Sequence, residues 1–316
     1  MITIAVQSPV VLATDVSIKT NSVALEEIVV TGRRPGPPLW KISSDENVLW
    51  IFGTLTPLPD SLDWNSDSVE WIVSQAKEVI LPPKIGARSS NPFTVISVMS
   101  KFKKLNKNPS GKSLDEILPQ ELTNRLHLVI EKFGLRKKKI LNLRPSKAAE
   151  ELMEGVLATV ELTNDEKISK QLRKIANKKK ADIIQTSVWV DIETGLKVLS
   201  EIPVAAEIEC LAATLEAIDA DLQASLERAL AWVDGDAQQL KALNYPDLEE
   251  SCFNKIFVSP EAVLALQQAR QRWIDAAVTA LQNNQVTFAY LPMRELVHPD
   301  GLLQELHHLG YEINGR

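Results

Sequence analysis

The β-prone runs of this chain cluster near its two ends, with a long helical stretch between them, and no other feature constrains the fold as strongly. Near the N-terminal end, Leu39–Leu55 (LWKISSDENVLWIFGTL) reads as a hairpin: a strand, a polar turn at Ser43–Asn47 and the apolar strand Val48–Leu55. Ser66–Ala76 has the periodicity of a short amphipathic helix, and Glu78–Leu81 is a short strand stopped by Pro82-Pro83. This β-α-β order predicts a parallel pair with a helical crossover. At the other end, Val286–Leu291 and Tyr311–Asn314 read as strands around a helix at Asp300–Leu309, with Gly310 as its C-cap. The expectation is therefore an α/β (α+β) fold. Its central mixed sheet is built from both ends of the chain, is flanked by helices, and carries a helical insert at about residues 92–282.

Within the insert, Pro92–Leu105 and Ser146–Val160 have helical periodicity. Ser113 with Glu116 forms a capping box that opens a helical region to Phe133, with Pro119 near a boundary, and Thr163 with Glu166 forms a second box leading a helix to about Lys178. Ala181–Val190 is β-prone. Pro203–Trp232 places Leu211, Leu215, Ile218, Leu222 and Leu226 at helical spacing, and Asp234-Gly235-Asp236 is a turn. Ser259 and Pro260 supply an N-cap and an N1 proline for a helix through Leu281.

Composition narrows the function. A chain of 316 residues, 45% hydrophobic and 24% charged, is globular rather than disordered, and its length is ample for a sizeable core. A net charge of −6 argues against a dedicated nucleic-acid binder. The lysine clusters at Lys101–Lys107, Arg136–Lys139 and Lys178–Lys180 lack interleaved aromatics or a Gly-rich loop and read as solvated helix faces. No apolar run reaches the roughly 18 residues a membrane-spanning helix needs.

Residues 1–38 read as an N-terminal segment and linker. Met1–Thr14 is apolar and holds a small-residue stretch at Val11-Leu12-Ala13, yet it lacks a positively charged start, so it reads as an incomplete signal peptide or an apolar tail. Glu26–Arg34 (EEIVVTGRR) resembles the segment near the mature N-terminus of TonB-dependent outer-membrane receptors of Gram-negative bacteria, and that resemblance implies an envelope address, periplasmic or secreted. Pro35-Gly36-Pro37-Pro38 sustains neither helix nor strand and marks the entry to the folded domain, 39–316. Cys210 and Cys252 are expected to pair in an oxidising compartment, closing a loop worth about 4 kcal/mol in the chain-entropy treatment; in a reducing one they would be buried thiols.

Two stretches carry a family likeness. Leu39-Trp40-Lys41-Ile42 with Leu49–Pro59 (LWIFGTLTPLP), then Ala76–Pro82 (AKEVILP), and at the other end Val286–Met293 with Pro299–Leu303 (PDGLL) and Gly310-Tyr311, resemble the TraB/GumN family, which includes the Tiki-type metalloproteases. The likeness runs from about Leu39 to Ile313 and is strongest at the two ends. In active members it implies a divalent metal held by two G-x-x-H histidines, with a glutamate as catalytic carboxylate; imidazoles and a carboxylate can bind such a cation, which then activates water.

This chain departs at each position. Gly53-Thr54-Leu55-Thr56 puts Thr56 where the first histidine is expected, Pro82 stands at the glutamate, and Arg294 stands at the second histidine. Threonine is a poor ligand, proline offers none, and arginine repels cations. The four histidines, His127, His298, His307 and His308, show no metal-ligand spacing; His298 beside Pro299 reads as a cap. No G-x-S-x-G elbow occurs. No metal and no cofactor are therefore expected. If the family geometry holds, Thr54, Thr56, Arg270, Arg272 and Arg294 gather where an anion would suit them, unless Arg294 is neutralised by Glu295 or Glu78. Trp40, Trp50 and Trp273 read as packing. Three readings stay open: a non-catalytic envelope protein that binds a small anionic ligand or a protein partner, a hydrolase with a rebuilt, metal-independent site, and a passive scaffold whose working part is the receptor-like N-terminal segment.

Overall fold

The structure is a computed structural model and describes residues 36–108, 111–164, 166–243, 252 and 259–315, without the side chains of 219–223 and 315. All of them belong to the unit Arg34–Arg316. The expectations for Met1–Thr14 and Glu26–Arg34 fall outside the described residues. In chain order the elements begin with β1 (Leu39–Ser44), β2 (Asn47–Thr54), β3 (Leu58–Pro59), α1 (Asp67–Gln75), β4 (Glu78–Ile80), β5 (Ile85–Arg88) and α2 (Pro92–Leu105). Then come α3 (Leu114–Ile117), α4 (Gln120–Lys132), α5 (Lys137–Leu141), α6 (Pro145–Thr159), β6 (Leu162–Thr163), α7 (Lys167–Lys179), β7 (Asp182–Ile184), β8 (Val188–Asp191), α8 (Ile192–Ser200) and α9 (Val204–Val233). The last are α10 (Ala237–Ala242), α11 (Pro260–Asn283), β9 (Val286–Pro292), α12 (Met293–Val297), α13 (Leu302–His308) and β10 (Glu312–Gly315).

One six-stranded mixed sheet, in the order β10-β1-β2-β9-β4-β7, joins the two ends of the chain. The β1–β2 hairpin is antiparallel, β10 pairs antiparallel to β1, and β2, β9, β4 and β7 run parallel. The expected parallel partner of β2 is corrected in one respect. The crossover through α1 skips a position, and β9, from more than 200 residues later in the chain, fills the gap between β2 and β4. The apolar character of Phe288, Ala289, Tyr290 and Leu291 explains this, because a strand buried on both faces belongs at the centre of a parallel sheet. Val69, Ile72 and Val73 of α1 join Leu172, Ile175 and Ala176 of α7 in covering one face; Trp273, Ala277 and Leu281 of α11 join the leucines of α12 and α13 on the other. Trp40 and Trp273 are core residues, and Trp50 packs at the core's edge.

Local signals account for many boundaries. The Ser113–Glu116 capping box forms, and Ser259 caps α11 ahead of Pro260. The second box does not form: Glu166 is the N-cap of α7 with no side-chain cap bond and pairs with Lys84, while Thr163 sits in β6 against Leu58. A tertiary ion pair and a strand pairing have displaced a local cap. Ala181–Val190 splits into β7, in the main sheet, and β8, in a two-stranded sheet with β5.

The insert has its own core, in which Leu122, Leu126 and Ile130 of α4 and Leu152 and Val156 of α6 meet Leu211, Leu215 and Ile218 of α9. Leu226, further along α9, is exposed. A Cys210–Cys252 disulfide borders this core. Helix α9, 30 residues long, runs on into the sheet's core, where Ala229, Trp232 and Val233 are buried. Its N-terminal turn is pinned by a buried pair: Arg144, the N-cap residue of α6, donates from Nε to Glu207 Oε2 at 3.0 Å and from Nη2 to the Ile202 carbonyl at 3.3 Å. Burial raises the Glu207 carboxyl above its ordinary pKa, while Arg144 opposes the rise. Replacing Arg144 alone with Met is expected to cost about 3–5 kcal/mol in urea unfolding, and Arg144→Met with Glu207→Leu clearly less, because only the single change strands a buried charge.

Candidate functional site

In open parallel sheets, ligands collect at the carboxyl ends of the strands, where loops diverge. Here that edge is formed by β2, β9 and β4. Thr54 pairs with Pro292 across β2 and β9, and Arg294 follows two residues later in the first turn of α12. Ile80 pairs with Ala289, which places Pro82 just past the end of β4. The positions Thr56, Pro82 and Arg294 thus follow the ends of three adjacent parallel strands.

Each sits in a distinct environment. Gly53 is required by packing: a Cβ there would lie 2.3 Å from Met293 Sδ and 3.0 Å from the Trp40 ring. Its carbonyl accepts a 2.7 Å hydrogen bond from Trp232 Nε1. Thr54 is half-buried, and its hydroxyl donates to the Leu291 carbonyl at 3.2 Å. Thr56 is exposed and precedes Pro57 through a cis peptide bond. Pro82 is buried, and Arg294 is half-buried. Below the edge, Phe52, Trp64 and Trp232 form an aromatic floor with ring centroids 5.3 to 6.0 Å apart, and Trp64 Nε1 donates to Gln171 at 3.1 Å.

The other two arginines are engaged within the protein. Arg270 grips both Glu295 oxygens, at 2.9 and 2.8 Å, and donates to the Asp300 carbonyl at 2.8 Å. The same carboxylate accepts the Leu302 amide, so this cluster holds the α12–α13 corner. Arg272 is exposed and donates to the Ser187 carbonyl at 3.0 Å. Glu295 is therefore bound by Arg270. Glu78 cannot serve Arg294 either, since it pairs with Thr287 at the start of β9, the opposite end of the strand from Arg294.

A polar group over the same edge was not legible in the sequence. The Tyr290 hydroxyl accepts from Arg173 Nε at 3.1 Å, and Glu166 pairs with Lys84. Burial raises the Tyr290 pKa, Arg173 lowers it, and the Glu166 charge adds to the rise. The only sequence signal was a hydroxyl inside the apolar run of β9, which burial would oblige to find a partner.

The family's metal does not fit the residues present. A threonine, a proline and an arginine supply no set of imidazole and carboxylate donors. Among the described residues no group of three His, Cys, Asp or Glu side chains is placed to hold a metal ion. His127 pairs with Asp115 at 2.7 Å, His298 Nδ1 accepts the Asp300 amide at 3.1 Å in the turn between α12 and α13, where Gly301 and not His298 is the N-cap of α13, and His307 and His308 are exposed.

At the sheet's other edge, Glu78 has its pKa raised, chiefly by burial, with Lys77 and a hydrogen bond from Asn284 opposing and Asp182 adding to the rise. The folded chain then holds the Glu78 proton more tightly than the unfolded one. The stability linked to it is present below the ordinary carboxylate pKa and is lost as pH rises through the folded value. The stability of Glu78→Gln relative to wild type should therefore improve between about pH 4 and about pH 7 in urea titrations; an unchanged difference would contradict this account of Glu78.

The TraB/PrgY/gumN family model matches residues 38–315. No curated protein and no solved structure matches the chain.

Proposed function

The chain belongs to the TraB/PrgY/gumN family, and within that family we propose that it is a non-catalytic envelope protein that acts by binding a ligand or protein partner at the carboxyl edge of its sheet. The observation that carries this reading is the donor chemistry of Thr56, Pro82 and Arg294 just past the ends of three adjacent strands, none of which can replace an imidazole or a carboxylate on a divalent cation. Arg270 is engaged with Glu295 and Arg272 with the Ser187 carbonyl, which weakens the anionic-ligand version of the reading. A protein partner that covers the exposed Thr56 turn needs no cation at this edge.

Metal analysis of the purified protein tests the proposal. We expect no stoichiometric Mn, Co or Zn, and cation uptake only after Thr56→His, Pro82→Glu and Arg294→His are combined. Stoichiometric metal in the wild type overturns the reading. So does hydrolysis of a peptide panel that Thr56→Ala or Arg294→Ala abolishes.

The envelope address is supported by the Cys210–Cys252 pair, which closes a loop across 42 positions. Among the described residues no helix is long and apolar enough to cross a membrane. If the address is correct, the cysteines of protein taken directly from cells resist alkylation until reduced. Reduction is then expected to lower stability by about 2–4 kcal/mol.

A further inference from the structure

Helix α2 leaves its apolar side in water. Phe93 is 80% exposed, Ile96 69%, Met99 54% and Phe102 42%, whereas only Val98 of its 14 residues is buried. At 3.6 residues per turn, steps of three fall back by about 60°, so these four side chains sweep an arc of about 180°. Lys103 and Lys104, in the last turn, fall at the same rotations as the arc, toward its C-terminal end. Its neighbour α8 buries no residue fully.

The charge along this stretch of the chain is one-sided, although the neighbouring α8 carries Asp191, Glu193 and Glu201 at its ends. From Lys84 to Leu114 the sequence has no Asp or Glu and seven cations; Lys84 is paired with Glu166 and Arg88 lies over Trp189, while Lys101, Lys103, Lys104, Lys107 and Lys112 lie on α2 or after it, in a chain whose net charge is −6. Fields reach about a Debye length, near 8 Å at physiological salt, so a surface approaching α2 meets this local excess rather than the global charge.

We propose that α2 is an interfacial element that seats the protein on the surface of an anionic phospholipid bilayer. Phe93, Ile96 and Met99 enter the boundary between headgroups and acyl chains, and the lysines of the last turn stay at the phosphates. Aliphatic lysine stems can lie along the apolar boundary while their ammonium groups remain hydrated. A second copy of the chain is a poorer occupant, because its own α2 segment has no Asp or Glu to meet these lysines. The attachment is peripheral and independent of the sheet-edge reading.

The test is co-sedimentation of the full chain with vesicles of phosphatidylcholine alone or with about one-third phosphatidylglycerol. We expect about tenfold more protein on the anionic vesicles, released at about 0.5 M salt. Phe93→Ser with Ile96→Ser, and separately Lys103→Glu with Lys104→Glu, should each reduce that binding about tenfold with thermal unfolding unchanged, whereas Lys103→Arg with Lys104→Arg should retain it. Binding to neither vesicle, equal binding to both, or undiminished binding by the serine and glutamate variants overturns the proposal. So does a dimer, seen by light scattering, that Phe93→Ser with Ile96→Ser converts to monomer.

Discussion

The hydrogen bond from the Trp232 indole to the Gly53 carbonyl ties the insert to the sheet. Trp232 stands at the end of α9, whose other half belongs to a separate helical core, so one helix anchors both bodies. The bond is made where water is excluded, beneath the Phe52 and Trp64 rings, and breaking it would leave both a buried N–H and a buried carbonyl unsatisfied. At the same residue, Met293 and Trp40 occupy the space a Cβ would need. The strand end is thus held by a hydrogen bond to its backbone and by close packing against Gly53, just before Thr54 and Thr56.

This packing also bears on the chemistry. A metal site needs several donors converging on a volume that a cation can enter. Here the strand ends present a hydroxyl, a pyrrolidine ring and a guanidinium, and the space beneath is filled with aromatic rings. The nearby charges do other work: Arg270 with Glu295 holds the corner after β9, and Arg173 satisfies a buried tyrosine hydroxyl. Helix α2 places lysines beside exposed aromatic and aliphatic side chains, in a stretch without Asp or Glu.

Much of the scaffold was legible because its signals are local. The β1–β2 hairpin, the Ser113–Glu116 box, the Pro260 helix start and the Gly310 helix stop each rest on a few neighbouring residues with fixed conformational preferences. The misreadings have a common cause. Thr163 and Glu166 have the spacing of a capping box, but Leu58 and Lys84, far away in sequence, compete for them. Glu78 and Arg294 looked like partners until strand register put them at opposite ends of the sheet. Arg270 and Arg272 looked available for an anion, yet their partners come from corners whose approach the linear pattern does not encode.

The sequence by itself determined the material of the protein: strands at both ends, a helical middle, the family likeness, and the residue types at the three motif positions. Those follow from periodicity, propensity and identity, which are properties of short windows. Only the tertiary structure decided which residues are engaged. It inserted β9 between β2 and β4, joined Arg270 to Glu295, set Trp232 under Gly53 and left the apolar arc of α2 uncovered. Each of these depends on contacts between residues distant in sequence. A charged or apolar side chain has the same identity in the sequence whether the fold neutralises it, buries it or leaves it to face solvent.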